Sequence, residues 1–147
     1  MSGGVDSAVA AALLLREGWN VIGATLRLFC HRGPSEERAC CSADSVRHAQ
    51  QAAERLGIRH AVLDFTDLFR RAVVEPFIDE YRAGRTPNPC VACNRSVKFD
   101  PLLEWGRGLG AECVATGHHA RLRFASDGRA RLLRGADPDK DQSYALW

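Results

Sequence analysis

Residues 2–7 read Ser-Gly-Gly-Val-Asp-Ser, and a run rich in Ala and Leu follows them. Gly3 and Gly4 allow backbone torsions and close approaches that residues with a Cβ resist. Successive backbone N–H groups can then converge on a phosphate at the positive end of the following helix. Asp6 is a candidate ligand, directly or through water, for a phosphate-bound Mg²⁺. For Ser-Gly-Gly alone, a glycine turn that caps a helix is the alternative, but the complete hexamer is more specific. The Gly-Lys-Ser/Thr of a Walker A loop is absent from it.

The bulk composition is that of one compact globular domain. Of the 147 residues, 46% are hydrophobic and 26% are charged, and the net charge of +2 is compatible with a nucleic-acid partner without demanding one. No apolar run reaches the length of a membrane span, and the N-terminal residues do not form a secretory signal. A cytoplasmic location without membrane contact is therefore expected.

The apolar periodicity alternates between helix and strand. Predicted helices span residues 6–17, 43–56, 66–83 and 101–109, and predicted strands span residues 20–29, 59–65 and 111–119. Pro76 predicts a kink or a break in the third helix. Residues 120–135 predict a hairpin that turns at Ser126-Asp127-Gly128. This order predicts an α/β fold with a parallel sheet covered by helices on both faces, and ligands at the carboxyl ends of the strands.

Six cysteines in a cytosolic chain favour metal binding or catalysis over structural disulfides. Cys90 and Cys93 stand three apart in a proline-punctuated segment, which predicts a loop, and basic residues lie nearby in the sequence. Positive neighbours favour the reactive thiolate, so a nucleophile, half of a metal site and inert thiols all stay open. A four-cysteine zinc site would need Cys40 and Cys41, an unusual adjacent pair. Cys113 lies in an apolar run and is expected to be buried.

The remaining polar residues allow two interpretations. His118 and His119 follow a predicted strand, and a satisfied or solvent-facing histidine is the commoner state for such residues. His31, His48 and His60 have no organised partners and are expected at the surface. The arginines of the predicted hairpin could contact phosphate, or they could form a solvated face; they are Arg121, Arg123, Arg129, Arg131 and Arg134.

The hexamer of residues 2–7 is the signature of the PP-loop ATP pyrophosphatases. Gly84 to Phe99, "GRTPNPCVACNRSVKF", resembles the catalytic segment of the bacterial tRNA-specific 2-thiouridylases. Residues 114–121, "VATGHHAR", and 132–146, "LLRGADPDKDQSYAL", resemble two further motifs of that family. His119 replaces the usual tyrosine and Ala145 the usual phenylalanine. The similarity extends over essentially all 147 residues.

The resemblance implies ATP-dependent 2-thiolation of the wobble uridine of tRNA. ATP would adenylate the C2 oxygen, and sulfur from a cysteine persulfide would replace it, with release of AMP and pyrophosphate. The implied cofactors are ATP and Mg²⁺, and the implied partners are tRNA and a persulfide donor protein. Cys93 matches the catalytic cysteine. The implied ATP-binding residues are Ser2, Gly3, Gly4, Val5, Asp6, Ser7, Leu26 and Gly117. The residues implied to meet the target base or tRNA are Asn88, Pro89, Cys90, Lys140, Asp141 and Gln142.

The resemblance further implies that residues 1–147 are a partial PP-loop catalytic domain. A first strand would precede Met1, and a central domain and a C-terminal β-barrel domain would follow, so the fragment alone is expected not to thiolate tRNA. Two alternatives stay open. One is another PP-loop tRNA thiolase that uses an iron–sulfur cluster held in part by Cys90 and Cys93. The other is a non-catalytic module that binds ATP or RNA.

Overall fold

The computed structural model describes residues 1–29 and 43–146. Two predictions concern residues outside these ranges: the surface position of His31 and a zinc site that includes Cys40 and Cys41. Cys30 also lies outside the described residues. The first half of the chain contains α1 (Val5–Arg16), β1 (Ile22–Arg27), α2 (Ala43–Leu56) and β2 (Arg59–Asp64). The second half contains α3 (Thr66–Phe69), α4 (Glu75–Arg82), α5 (Pro89–Cys93), α6 (Asp100–Arg107), β3 (Ala120–Phe124) and β4 (Ala130–Arg134).

Strands β1 and β2 form a parallel pair, from Ile22 opposite Arg59 to Arg27 opposite Asp64. Helix α2 packs against both strands, and its buried Ala49 and Ala53 allow close approach because their side chains are small. The parallel connection through a helix confirms the predicted α/β class.

One residue at the start of the chain lies beside β1. The amino group of Met1 donates to the carbonyl oxygen of Ala24, and the Thr25 hydroxyl lies 2.7 Å from the Met1 carbonyl oxygen. The same hydroxyl lies 2.8 Å from Nε2 of His60 on β2, and Thr25 is buried. The prediction that His60 is an unpartnered surface residue is therefore wrong, whereas His48 is exposed as predicted.

Residues 66–82 are helical throughout, as predicted, but their geometry changes within the span. A π-helical turn, Arg70–Val74, joins α3 to α4, and Pro76 is the second residue of α4. A proline cannot donate the backbone hydrogen bond that an α-helix requires at its position. The helix accommodates Pro76 through the wider π turn that ends at Val74, and it continues without a break.

The prediction of a loop around the two thiols is wrong from Pro89 onward. Helix α5, a π-helical segment (Asn94–Phe99) and α6 follow one another directly, so residues 89–107 are helical. The physical reason is a capping signal. Pro89 occupies the first turn, where its missing N–H costs nothing, and the Asn88 side chain accepts from the N–H groups of Cys90 and Val91.

The prediction of a strand over residues 111–119 is also wrong. Within the described part of the chain no strand pairs with these residues, and an extended segment without a ladder partner does not become a strand. Cys113 is exposed there, contrary to the prediction of burial. The predicted hairpin is confirmed, since β3 and β4 pair antiparallel around the turn that contains Gly128.

The main apolar cluster lies under the helices of the second half. Val73, Cys93 and Val97 are buried in it, and partly buried side chains surround them: Leu28, Phe65, Leu68, Phe69, Ala72 and Ala92. The cluster joins the end of β1 to the π turn and to the helix that carries Cys93. No helix in residues 1–29 or 43–146 is long and apolar enough to cross a membrane.

Candidate active site

The turn before α1 is held by its two serines. The backbone N–H of Ser2 donates to Oγ of Ser7 over 3.1 Å, and that hydroxyl donates to the carbonyl oxygen of Gly4 over 3.1 Å. Oγ of Ser2 accepts from the N–H of Gly4 over 3.3 Å. Gly4 is the N-cap of α1 and has no side chain that could cap the first turn of this helix. The first N–H groups of an α-helix have no partner within the helix, so the N-terminus of α1 is a candidate site for an anionic ligand.

Two glycines allow other segments to approach this turn closely. Gly3 has a φ of +81°, and a Cβ built on it would lie 2.4 Å from the carbonyl oxygen of Ser45 on α2. Gly117 lies in the segment between α6 and β3, and a Cβ built on it would lie 2.8 Å from the Asp6 carbonyl carbon and from the Ser7 nitrogen. Both positions therefore require glycine. The structure thus brings Gly117 directly against the turn.

The turn lies near the carboxyl end of β1. Met1, the residue before the turn, contacts Ala24 and Thr25, and Leu26 follows them on the same strand. Leu26 is half-buried and pairs with Leu63 of β2. This is the edge of a parallel sheet at which ligands of α/β folds collect.

The carboxylate of Asp6 faces an imidazole. Oδ1 of Asp6 lies 3.3 Å from Nε2 of His119. The backbone of His119 is fixed on both sides by Gln142: its N–H donates to Oε1 of Gln142 over 2.9 Å, and its carbonyl oxygen accepts from the Gln142 N–H over 2.9 Å. Gln142, which the resemblance assigns to tRNA, thus holds the residue that contacts Asp6.

An open cavity of about 440 Å³ lies at this junction. Its lining includes Asp6 and His119 from one side, and from the other side Asp139, Lys140, Asp141, Gln142 and Tyr144. Asp141 accepts from the N–H groups of Gly135 and Ser143, which hold the pKa of its carboxyl below the ordinary value. The carboxylate oxygens that line the cavity are the ligand type that Mg²⁺ prefers.

The two thiols lie on α5 in different surroundings. Cys90 is exposed, whereas Cys93 is 7% exposed and belongs to the apolar cluster. The next residue, Asn94, is buried, and its Nδ2 donates to the carbonyl oxygen of Ala145 over 2.8 Å. Oδ1 of Asn94 is buried without a hydrogen-bond partner in the described part of the chain. Arg85, which lies near the thiols in sequence, forms a bidentate ion pair with Glu80 at 2.6 and 2.7 Å.

Residues 116–119 connect the turn to the thiol-bearing helices. On one side Gly117 and His119 contact Asp6. On the other side the ring of His118 lies 6.2 Å from the ring of Phe99. Burial, and after it the charge of Lys98, lowers the pKa of His118. A four-residue segment therefore contacts both the Ser2–Ser7 turn and the π-helical segment that follows α5.

Of the predicted metal ligands, the structure places Asp6 in the cavity and Cys90 and Cys93 on α5, outside it; Asp139 and Asp141 were not predicted as metal ligands. Asp6 shares the cavity with Asp139 and Asp141. In the described ranges, no group of three or more His, Cys, Asp or Glu side chains is arranged as a metal site, and Cys90 and Cys93 have no third ligand there. A third ligand is required only if the thiols hold a metal. It is not required if one of them acts as a nucleophile.

The sequence profile of the family described as "tRNA methyl transferase HUP domain" matches residues 1–147. The chain belongs to this family. The family's domain type agrees with the α/β fold and its parallel sheet. Curated relatives include the tRNA-specific 2-thiouridylase MnmA of Clostridium perfringens strain 13, which is 50% identical over 149 aligned residues covering 100% of this chain and 41% of that protein.

Two further relatives carry the same name. The proteins of Heliobacterium modesticaldum and Caulobacter vibrioides are 52% and 51% identical to this chain, and the alignments cover 100% of the chain and 39% of each protein. The resemblance to the tRNA-specific 2-thiouridylases is thereby confirmed. The chain spans about two fifths of the length of these relatives.

The sequence analysis did not assign His119 or Asn94 to the candidate site, and it assigned Asn88 only to the target base. His119 was weighted towards a bland histidine, although its place in the "TGHHAR" motif next to Gly117 was a usable signal. Asn88 has a cap role that the Asn-Pro pair before a helix could have indicated. Nothing in the sequence pattern indicated that Asn94 would reach Ala145, because the contact spans 51 residues.

Proposed function

We propose that this chain carries the ATP-dependent active site for 2-thiolation of the wobble uridine of tRNA. The observation that supports it most is the contact of residues 116–119 with both the Ser2–Ser7 turn and the helices that follow Cys93. Activation of a uridine oxygen and transfer of sulfur must occur at one base, so the two halves need to adjoin. Because the chain spans about two fifths of its relatives' length, the activity is proposed for the protein as its gene encodes it.

ATP would bind with its phosphates at the Ser2–Ser7 turn. The first-turn N–H groups of α1 and the serine hydroxyls donate to phosphate oxygens, and Gly117 packs directly against the backbone of Asp6 and Ser7. The uridine C2 oxygen attacks the α-phosphate, and pyrophosphate leaves. Adenylation turns a poor leaving group into a good one.

Asp6 is the residue proposed to hold Mg²⁺, because Mg²⁺ is usually bound through one or two carboxylates together with substrate phosphates. When bound, the ion neutralises charge on the departing pyrophosphate. Asp6 is the first candidate ligand because it lies at the turn, and His119 orients its carboxylate from 3.3 Å. Lys140 lines the same cavity and supplies a positive charge for phosphate, whether of ATP or of tRNA.

Cys93 is proposed to take part in sulfur transfer. The outer sulfur of a cysteine persulfide forms the bond to C2, the bond from C2 to the adenylated oxygen breaks, and AMP leaves. The Cys93 thiolate then attacks the inner sulfur, the S–S bond of the persulfide breaks so that the outer sulfur stays on the base, and a disulfide forms between Cys93 and the donor cysteine. Cys93 lies in the apolar cluster, which protects its thiol from solvent, so α5 must move relative to the segment around Ala145 when the base binds. Asn88, Pro89 and Cys90 form the exposed start of α5 and are placed to meet the base.

The test is to incubate the protein with unmodified tRNA, ATP, Mg²⁺ and a persulfide donor, and to analyse the nucleosides by mass spectrometry. The proposal expects the mass gain of an oxygen-to-sulfur exchange at the wobble uridine, dependent on ATP and lost in Asp6→Asn. A methyl mass gain, which the family's description would suggest, would overturn the proposal. So would thiolation without ATP.

A further inference from the structure

The hairpin of β3 and β4 has two chemically different faces. Directly opposed residues share a face, and so do residues two apart along a strand. Arg121 opposes Leu133 and Arg123 opposes Arg131, so one face carries three arginines. We call Arg121, Arg123 and Arg131 the arginine face. The opposite face is mostly apolar: it carries Leu122, 67% exposed, and Phe124, 72% exposed, and its one arginine is Arg134, opposite Ala120.

The arginines of the arginine face repel one another. Arg123 and Arg131 are directly opposed across the strands, and like charges in this position destabilise a hairpin. Within residues 1–29 and 43–146 neither of them has an ion-pair partner, whereas neighbouring Arg129 pairs with Asp127 at 2.8 Å. Nε of Arg121 donates to the carbonyl oxygen of Arg134, which leaves its charge uncompensated. A face that concentrates uncompensated guanidinium groups fits an anionic partner.

The hairpin extends from the candidate active site. It begins directly after His119 and ends at Gly135, and a Cβ on Gly135 would lie 2.9 Å from the carbonyl oxygen of His119. Its five-residue strands are about 17 Å long at the usual rise per residue. The arginine face therefore lies within roughly that distance of the cavity that contains Asp6. A polymer with one base in the cavity would carry its neighbouring phosphates past the hairpin.

We propose that the arginine face binds the phosphate backbone of the tRNA whose wobble base enters the active site. The inference rests on the proposed function, which supplies an RNA partner. Guanidinium groups match phosphate geometry, and phosphate contacts fix the position of a nucleic acid without reading its sequence. The face therefore contributes affinity and position and no base specificity.

The test is the double variant Arg123→Gln with Arg131→Gln in the protein as its gene encodes it. Its matched control is Arg16→Gln with Arg55→Gln, which removes two exposed arginines at the ends of α1 and α2 remote from the turn. Dissociation constants for unmodified tRNA are measured across a salt series. The hairpin variant should weaken binding about tenfold near 0.1 M salt and reduce the slope of log K against log salt by about 2. The control should change the slope little.

The melting temperature separates this role from a structural one. Removing two opposed like charges should leave the melting temperature unchanged or raise it, while a structural role would lower it. A non-substrate tRNA should lose affinity by the same factor. If the hairpin variant binds tRNA with unchanged affinity and salt slope, the inference is overturned. It is also overturned if the variant binds tRNA normally and loses affinity only for anionic lipid vesicles or acidic peptides.

The outcome can be read independently of the proposed function. Cys93→Ser should keep the tRNA affinity of the unmodified protein and lose thiolation. If the unmodified protein thiolates tRNA and the hairpin variant binds it equally well, the inference alone fails. If the unmodified protein does not bind tRNA, the proposed function fails and the inference with it.

Discussion

Asn94 reaches across 51 residues of sequence to the carbonyl oxygen of Ala145, to which its side-chain amide donates over 2.8 Å. This bond joins the residue after Cys93 to the segment that continues from Lys140, Asp141 and Gln142. Gln142 in turn holds His119 against Asp6. A chain of contacts therefore runs from the residue after Cys93 to the Ser2–Ser7 turn: three hydrogen-bonded links through Ala145, Gln142 and His119, and the contact of His119 with Asp6.

Replacing Asn94 with Ala should destabilise the fold. The buried carbonyl oxygen of Ala145 would lose its donor, at a cost of about 1–3 kcal/mol in the free energy of unfolding. Urea denaturation measures the change. Asn94→Asp is the informative partner variant because it has nearly the same shape and no amide donor. Wild-type stability in both variants would show that the bond contributes nothing.

Replacing Gly117 with Ala should disrupt the turn more than it disrupts the remaining fold. The added Cβ would meet backbone atoms of Asp6 and Ser7 at 2.8 Å, and overpacking of this kind costs about 1–3 kcal/mol. We expect weaker ATP binding in a fluorescent nucleotide titration, together with a lower melting temperature. Gly108→Ala is the control, since Gly108 has helical torsions and lies outside the cavity. Unchanged nucleotide affinity in Gly117→Ala would contradict the position of the phosphates.

Stability should fall on mild acidification, partly through His118. Burial and the charge of Lys98 hold the pKa of His118 below its ordinary value of 6.5. Because the folded pKa is depressed, the unfolded state binds more protons below about pH 6.5, so stability decreases from there as pH falls towards the folded pKa.

Urea denaturation at about pH 7.5 and about pH 5.5 measures this loss. His118→Gln should lose less stability between the two conditions than the unmodified protein does. Some loss should remain, because burial also lowers the pKa of His60. An equal loss in both proteins would exclude His118 as a contributor.

The elements that local signals specify were predicted well. Helix α1, strand β1, helix α2 and strand β2 follow from apolar periodicity, and the hairpin follows from its Asp-Gly turn. The segment around Cys90 was predicted wrongly because its prolines indicated a loop, although Pro89 after Asn88 starts a helix.

The errors that remain depend on partners distant in sequence. Residues 111–119 have the composition of a strand, but a strand exists only with a hydrogen-bonded neighbour, and composition does not supply one. The groups that the turn offers to a ligand, two serine hydroxyls and the Asp6 carboxylate, could be read from residues 2–7 of the sequence. The approach of Gly117, His119 and Gln142 to that turn depends on the tertiary fold, and motif order alone does not specify it.

The most direct test of the central claim measures pyrophosphate release and thiouridine formation in the same reactions. Cys93→Ser should still release pyrophosphate when tRNA is present and should form no thiouridine, because the proposed adenylation uses the Ser2–Ser7 turn and the proposed sulfur transfer uses the Cys93 thiol. Asp6→Ala should do neither, and Cys113→Ser, at an exposed cysteine outside the cavity, should do both. Thiouridine formation by Cys93→Ser at the unmodified rate would contradict the account.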